Sequence, residues 1–247
     1  MPHTFNFPGA VGVSQLKVYD TPGPDGLVGG SPHVHLLCKE AYLVTAGRGA
    51  VQTLSRKGFR EVPLEPGRLV WFTPGLIHRL INLDGRLEIT VLMANAGMPE
   101  AGDFALVFPD EVLTDASAYR HAASLAAPEH VHASSPEAAR RRRDLAVEGF
   151  VALRQAFEID GQEALETFYN RAVRLVQPNL SRWRSILENG PAAEVASTRA
   201  QFGDLERGHI GYLVDADVRL SKPLEPRKLG MCGTLELHLP EGSIPKI

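Results

Sequence analysis

The sequence predicts a mainly β fold, an antiparallel barrel or sandwich, to which an α-helical segment is added. Two observations predict it. Between residues 33 and 95, short apolar runs alternate with turn residues about every 8–12 positions, as in barrels and sandwiches. Between residues 110 and 205, apolar residues recur at the spacing of amphipathic helices. The chain has 247 residues, 44% of them hydrophobic, which is enough to bury a substantial core.

Five apolar runs in the first hundred residues predict strands. They are residues 11–18, 41–45, 50–54, 68–72 and 87–93. Turn-forming residues follow them, such as Pro74-Gly75 after the fourth run. Trp71 and Phe72 are adjacent in that run, so one of the two rings should enter the core because side chains alternate along a strand.

The helical region contains several segments separated by glycine and proline. The predicted helices run from residue 111 to about 124, from about 135 to a break at Gly161, from there to Pro178, from 180 to 189 and from 192 to 202. Two signals overlap at the start of the second helix. Either Ser134 forms a capping box with Glu137, or Ser135 is the cap and Pro136 is the first helical residue.

The last forty residues return to strand character, which predicts strands at 210–214 and 234–239. In the second run Leu235, Leu237 and Leu239 alternate with polar residues, as on a half-buried strand. We therefore expect a barrel over residues 1–105, a helical segment packed on it over 106–207, and a β tail over 208–247 that returns to the barrel sheet. The helices could cover the mouth of the barrel or pack outside it.

Four side chains in the strand-rich region are candidate metal ligands. His33 and His35 are two residues apart, so on a strand they point to the same face. Glu40 has the opposite parity and reaches that face only if the chain turns between residues 36 and 39. His78 arrives on another strand, after the Pro74-Gly75 turn. Three imidazoles and one carboxylate suit a divalent first-row metal and leave positions for other ligands.

These residues fall into two motifs that resemble those of the cupin superfamily, in particular the germin-like and quercetin-dioxygenase-like members. The motifs are His33-x-His35-x4-Glu40-x6-Gly47 and Gly75-x2-His78-x3-Asn82. The resemblance implies a cupin-type barrel, which is a jelly roll or double-stranded β-helix. It also implies one divalent metal ion per chain, bound inside the barrel by His33, His35, Glu40 and His78.

The resemblance implies several activities. Cupins with this ligand set include dioxygenases of small aromatic or flavonoid substrates, oxalate-degrading enzymes and sugar-phosphate isomerases. We expect an iron-dependent oxidoreductase of the dioxygenase type, and manganese, nickel or zinc remain open as the metal. Glu40 could alternate between ligand and general base. The alternatives are a non-catalytic module that binds a small ligand or a metal, and a sugar or sugar-phosphate isomerase.

Tyr42 is a second candidate catalytic residue. It has the parity of Glu40, so it could line the barrel and donate a hydrogen bond to a substrate, or it could be an ordinary core aromatic. Cys38 lies between the ligands, and we expect it to be structural rather than a soft ligand. Asn82 has the parity of His78, and we assign it a structural role at the end of its strand.

Charge and cysteine content limit the partners and the compartment. The net charge is −3, which gives no electrostatic case for nucleic acid or a membrane surface. Residues 140–143 are four consecutive arginines, which on a helix spread around most of the circumference and predict a solvated face. His130 and His132 are expected in a loop. Two cysteines make no disulfide framework, and no signal-peptide pattern is seen, so we expect a cytoplasmic protein. By analogy with the fold we expect a homodimer that acts on a small molecule.

Overall fold

A computed structural model of the chain describes residues 7–127 and 130–238, and thirteen strands lie within these ranges. In chain order they are β1 (Gly12–Val18), β2 (His33–Val34), β3 (Glu40–Ala46), β4 (Gly49–Ser55), β5 (Gly58–Leu64), β6 (Leu69–Phe72), β7 (Ile77–Asn82), β8 (Glu88–Met93), β9 (Ala105–Leu106), β10 (Ala126–Ala127), β11 (His130–Ser134), β12 (Lys228–Leu229) and β13 (Gly233–His238). All their pairings are antiparallel.

Seven α-helices lie within the same described ranges. They are α1 (Asp110–Leu113), α2 (Ala116–Ala123), α3 (Pro136–Asp160), α4 (Gln162–Val176), α5 (Leu180–Asn189), α6 (Pro191–Glu206) and α7 (Gly211–Val214). Short 3-10 helices occupy Pro8–Ala10 and Gln177–Asn179. No helix within the described residues is both long enough and apolar enough to cross a membrane.

Two large sheets form the barrel. The first sheet has the order β12-β13-β1-β8-β3-β6, the second has the order β5-β4-β7-β2-β9, and β10 and β11 form a separate hairpin. One buried apolar cluster joins the two sheets, with Leu16 and Ile89 from the first and Val51 and Leu80 from the second. Sequence neighbours are not always neighbours in a sheet, as in a jelly roll. The predicted mainly β, cupin-like barrel with an added helical segment is confirmed.

Alternating burial along β3 positions the interior of the barrel. Glu40, Tyr42 and Val44 are buried, whereas Leu43 and Thr45, which have the opposite parity, are exposed. Every residue of β7 is buried, because this central strand is covered on both faces. One face of β7 points into the barrel and the other lies under the helical segment.

The helices pack on the outer face of the second sheet. Val34 and Ile77 point away from the barrel interior and join a buried cluster with Phe150 of α3 and Phe168 of α4. These apolar contacts join residues that are far apart in the sequence. Hydrophobic periodicity alone therefore could not predict whether the helices cover the mouth of the barrel or form a layer outside it. The structure shows that α3 and α4 form a layer outside the barrel.

Gly149 allows α3 to approach the barrel closely. A Cβ atom at this position would overlap the carbonyl oxygen of Val107 and the backbone of Phe108, just after β9. We expect Gly149→Ala to lower the free energy of unfolding by about 1–3 kcal/mol, because the overlap is with backbone that cannot rotate away. Urea unfolding measures this difference. Gly211→Ala is the matched control, since no atom lies within 4 Å of its added Cβ; equal effects of the two changes would contradict the close packing.

Local hydrogen bonds and backbone conformation set where the first three helices begin and end. Ser135 caps α3 by accepting a hydrogen bond from the Ala138 amide, so the second of the two alternatives is right. Gly161 ends α3 with a positive φ of 59°, as the predicted break requires. The helix predicted over residues 111–124 is instead two helices, because Asp115 accepts hydrogen bonds from the amides of Ser117 and Ala118 and starts α2.

Two predictions, one for residues 210–214 and one for His130 and His132, were wrong. Residues 210–214 form a short helix rather than a strand, and their backbone bonds locally, from the Val214 amide to the Ile210 carbonyl. His130 and His132 lie in β11 rather than in a loop. The second predicted tail strand does return to the first sheet, because β13 pairs with β1. The domain division into 1–105, 106–207 and 208–247 stays a prediction.

The arginine run is only half solvated, since Arg140 and Arg141 are exposed on α3 as predicted. Arg142 and Arg143 are buried, with 6% and 2% of their surface exposed. Arg142 donates to the Gly230 carbonyl at 2.6 Å, and Arg143 donates to the carbonyls of Thr21 and Pro22 at 2.8 Å. Loop carbonyls accept hydrogen bonds from both guanidinium groups, although Arg142 Nε has no partner among the described residues. Local charge density cannot predict this long-range arrangement. These bonds attach α3 to the loops that precede β2 and β13.

Candidate metal centre

Three strands bring the predicted ligands to one place inside the barrel. His33 on β2 and His78 on β7 are directly paired in the second sheet. Glu40 is the first residue of β3 in the first sheet. β2 ends at Val34, and the chain bends at residues 36 and 37 before β3 begins. The turn that parity required between residues 36 and 39 is therefore present, and the carboxylate faces the two imidazoles.

The donor atoms of His33, Glu40 and His78 all lie within 4.8 Å of one another, and the three residues are buried. Glu40 Oε2 is 3.0 Å from His78 Nε2 and 3.8 Å from His35 Nε2. His35 is also buried, with 5% of its surface exposed, but it lies outside the three-residue group. The structure thus brings three predicted ligands together and places the fourth at the margin of the group, where it stays a predicted ligand.

Backbone carbonyls fix the orientation of all three imidazoles. A carbonyl oxygen only accepts, so each Nδ1 carries a proton, and in the neutral form of the ring Nε2 then keeps its lone pair. The contacts are His33 Nδ1 to Ser31 O at 2.9 Å, His35 Nδ1 to Asp103 O at 2.6 Å and His78 Nδ1 to Leu76 O at 3.0 Å. Neutral imidazoles oriented in this way are prepared to bind a metal through Nε2.

Two buried acceptor atoms in the group have no hydrogen-bond partner among the described residues. They are Glu40 Oε2 and His78 Nε2, which face each other. When His78 is neutral, two lone pairs face each other at 3.0 Å and repel, and a buried polar atom without a partner costs about 1–3 kcal/mol. A cation between them removes both penalties. The residues present therefore fit a metal ion, and the His33, Glu40 and His78 group could hold one.

The charge states of the group also suit a cation. Burial alone raises the pKa of Glu40, but contact with His78 and the charges that His78, His35 and His33 can carry outweigh it and lower the pKa to about 2. Burial lowers the pKa of His33 well below its usual value, and the neighbouring imidazoles lower it further. At neutral pH the group thus offers an ionised carboxylate and a neutral imidazole, which are the forms that bind metals.

Asp103, which was not predicted from the sequence, holds the turn between His35 and Glu40. Its carboxylate, fully buried, accepts three backbone hydrogen bonds. The donors are the amides of Leu36 at 3.1 Å, Leu37 at 2.9 Å and Cys38 at 2.8 Å. Its own carbonyl orients His35. A single aspartate in a loop has no spacing signature, so no sequence signal marks this role.

The helical segment also contacts the turn before His78. Tyr169 of α4 donates a hydrogen bond to the Gly75 carbonyl at 2.7 Å. The Gly75 amide donates to the carbonyl of His35 at 2.8 Å. The outer helical layer and both metal-binding motifs are thus joined by consecutive hydrogen bonds.

A small cavity of about 110 Å³ adjoins His33, His35 and Glu40. Six apolar side chains form most of its wall: Leu16, Val91, Met93, Met231, Leu235 and Leu237. Two of these belong to β13, so the tail strand completes the cavity. Its lining contains no lysine or arginine, and Glu100 is the carboxylate other than Glu40 that lines it.

Tyr42 lies in the wall of this cavity and is buried. Its ring is 5.1 Å from that of Phe72 and 6.2 Å from that of His78, between centroids. Burial and the nearby charge of Glu40 raise the pKa of Tyr42 well above its ordinary value. The hydroxyl therefore keeps its proton, and a hydrogen bond to Glu40 contributes to the raised pKa.

The remaining residues singled out in the sequence have structural roles. Cys38 is buried in an apolar cluster with Trp183, and burial raises the pKa of its thiol. Asn82 donates to the Val18 carbonyl and accepts from the Leu87 amide at the end of β7. Of the two adjacent aromatic residues in β6, Phe72 enters the core, as the strand period predicted.

Comparisons with known proteins give likenesses of structure. No family model matches the sequence, and neither does any curated protein. A cupin 2 conserved barrel domain protein from Salinispora arenicola is 24% identical, with a TM-score of 0.30, and the match covers 40% of this chain and 75% of that one. Streptomyces Pac13, a nucleoside dehydratase, is 18% identical, with a TM-score of 0.26, over 31% of this chain and 57% of that one.

A third solved structure, the TDP-quinovose 3,4-ketoisomerase WlaRB from Campylobacter jejuni, is 13% identical, with a TM-score of 0.28. That match covers 33% of this chain and 60% of the ketoisomerase. In this chain itself, two antiparallel sheets form the barrel. The group of His33, Glu40 and His78 inside it comes from the two motifs that were identified in the sequence. The barrel of this protein is therefore cupin-like in fold.

Proposed function

We propose that this protein is a metal-dependent enzyme that acts on a small, largely apolar organic molecule, as an iron-dependent oxidoreductase of the dioxygenase type. The observation that carries the proposal is the pair of buried, unpartnered acceptors on Glu40 and His78 beside a cavity. A metal bound there would supply activation of a coordinated substrate and, if it is iron, of dioxygen.

The cavity lining supports the choice of substrate class. Most of its wall is apolar, and none of its side chains carries a positive charge. A phosphate group would find no lysine or arginine in the lining to bind it, which leaves the metal ion as its one cation, and burying a charge that is incompletely paired is costly. The lining thus favours an uncharged organic molecule over the sugar phosphate of the isomerase alternative. The small volume limits the enclosed part of the substrate to about the size of a single ring.

Glu40 and Tyr42 would act on the substrate in this proposal. The ionised Glu40 carboxylate would bind the metal, since its low pKa keeps it unprotonated. The same low pKa would make it a weak general base toward a substrate hydroxyl, because such bases work best when their pKa is near the operating pH. The protonated Tyr42 hydroxyl would donate a hydrogen bond that orients the substrate. The apolar walls would exclude water, which limits side reactions.

We expect Tyr42→Phe to lower kcat/KM about 10–100-fold while bound metal stays unchanged, because one orienting hydrogen bond is lost and the ligands remain. The measurement is oxygen uptake by protein loaded with ferrous iron, and in parallel with manganese, nickel or zinc, against a panel of small phenols and other ring compounds. Tyr212→Phe, on α7, is the matched control.

Two outcomes separate the alternatives. If no compound is consumed with any metal but one binds tightly, the protein is a non-catalytic binding module and the enzyme proposal fails. If a sugar phosphate is isomerised without oxygen uptake, the dioxygenase assignment fails and the metal-dependent enzyme remains.

A further inference from the structure

A second concave surface lies on the opposite side of the barrel interior from the metal cavity. It is a groove of about 550 Å³ between the free edges of the two sheets, β5 on the second and β6 on the first. The metal cavity is bounded by β13 and β1, near the other edge of the first sheet. We call this second surface the β5–β6 groove.

The β5–β6 groove combines an apolar floor with a cationic rim. Val51, Val62, Val70, Phe72 and Leu76 line the floor. Arg56, Lys57 and Arg60 line the rim, and no acidic side chain is part of the lining. Within the described part of the chain none of these three cations forms an ion pair. Three unpaired cations gather here although the chain as a whole has a net charge of −3.

Strand register places one of the cations on the same face as the metal ligands. Arg60 pairs with Thr53, Thr53 pairs with His78, and His78 pairs with His33 across four neighbouring strands. Paired residues in a sheet point to the same face, and strands are about 4.8 Å apart. Arg60 therefore lies about 10 Å from His78 along one row of inward-facing residues.

Aromatic rings complete the groove. Phe72 closes its inner end, because its ring lines the floor and also stacks on the His78 ring at 4.9 Å. Trp71 lies at the rim with 72% of its surface exposed. An exposed tryptophan beside unpaired cations suits a ligand that has both an apolar or aromatic body and a negative charge.

We propose that the β5–β6 groove binds a small organic anion with an aromatic or apolar body, such as an aromatic carboxylate. The carboxylate would contact Arg60, with Arg56 and Lys57 adding charge at the rim, and the ring would lie on the apolar floor near Phe72. A small ligand is favoured because the groove ends at Phe72 instead of continuing through the barrel. This site is independent of the proposed reaction in the metal cavity.

The test is a titration of metal-loaded protein with benzoate and with benzyl alcohol, its uncharged counterpart. Trp71 serves as the reporter, since the only other tryptophan, Trp183, is buried. Calorimetry supplies an independent dissociation constant. We expect benzoate to change the Trp71 fluorescence and to bind at least about tenfold more tightly than benzyl alcohol. Arg60→Gln should weaken benzoate binding about tenfold or more and leave benzyl alcohol binding unchanged.

Arg141→Gln is the matched control, because Arg141 is exposed on α3 and the change in net charge is the same. Equal losses of benzoate affinity in Arg60→Gln and Arg141→Gln would mean that net charge alone attracts the anion, and would overturn the proposal. Benzoate binding that survives Arg60→Gln but disappears when the metal is chelated would assign the carboxylate to the metal centre and would also overturn it. Circular dichroism of each variant checks that the fold is intact.

Discussion

His78→Ala should lower the bound metal from one ion per chain to well below one. The change removes the Nε2 donor that lies 3.0 Å from Glu40 Oε2, and His33 and Glu40 remain as the rest of the three-residue group. Even changes to residues that only hydrogen-bond to a metal ligand cost about 10–100-fold in metal affinity, and loss of a direct ligand should cost more. Elemental analysis after dialysis against a weak chelator measures the metal content directly.

His121→Ala is the control for this measurement, since His121 is exposed on α2 and belongs to no group of candidate ligands within the described residues. Far-UV circular dichroism separates loss of a ligand from loss of the fold. Unchanged metal in folded His78→Ala protein would remove the basis of the proposed function. His35→Ala should have a smaller effect than His78→Ala, because His35 lies outside the three-residue group.

The parts of this structure that depend on local pattern could be predicted from the sequence. Strand alternation placed His33 and His35 on one face and required a turn before Glu40, and the structure has that turn. Capping chemistry at Ser135 and the break at Gly161 were readable because the bonds that form them are local.

The parts that depend on distant contacts could not be predicted. The apolar run at 210–214 has strand composition, but it pairs with no strand between residues 7–127 or 130–238 and forms its own hydrogen bonds as a helix. Arg142 and Arg143 look like surface charge in the sequence, yet loop carbonyls far along the chain receive their donors. The role of Asp103 near the candidate site could not be predicted for the same reason. Its partners are backbone amides, which every residue except proline has, so no sequence pattern identifies them.

Asp103→Ala should be the most destabilising single change near the site. It leaves three amides, those of Leu36, Leu37 and Cys38, without their acceptor. A buried donor left unpaired costs about 1–3 kcal/mol, and because the Cys38 bond is buried while those of Leu36 and Leu37 are partly buried, we expect a loss of about 2–3 kcal/mol in the free energy of unfolding. Urea unfolding measures it. Asp103→Asn keeps one acceptor oxygen and should lose about half as much, and Asp217→Ala, at an exposed position, should change little.

The Asp103→Asn substitution tests whether Asp103 positions the ligands or only stabilises the fold. Glu40 reaches the imidazoles because the chain turns after His35, and the Asp103 carboxylate holds that turn. Folded Asp103→Asn protein should therefore bind metal about 10–100-fold more weakly than the unsubstituted protein, although no ligand atom is removed. A competition titration with a metal indicator at a temperature where both proteins are folded measures this ratio. Lower stability with unchanged metal affinity would show that the turn holds Glu40 in place without the carboxylate, and that the bonds of Asp103 serve folding alone.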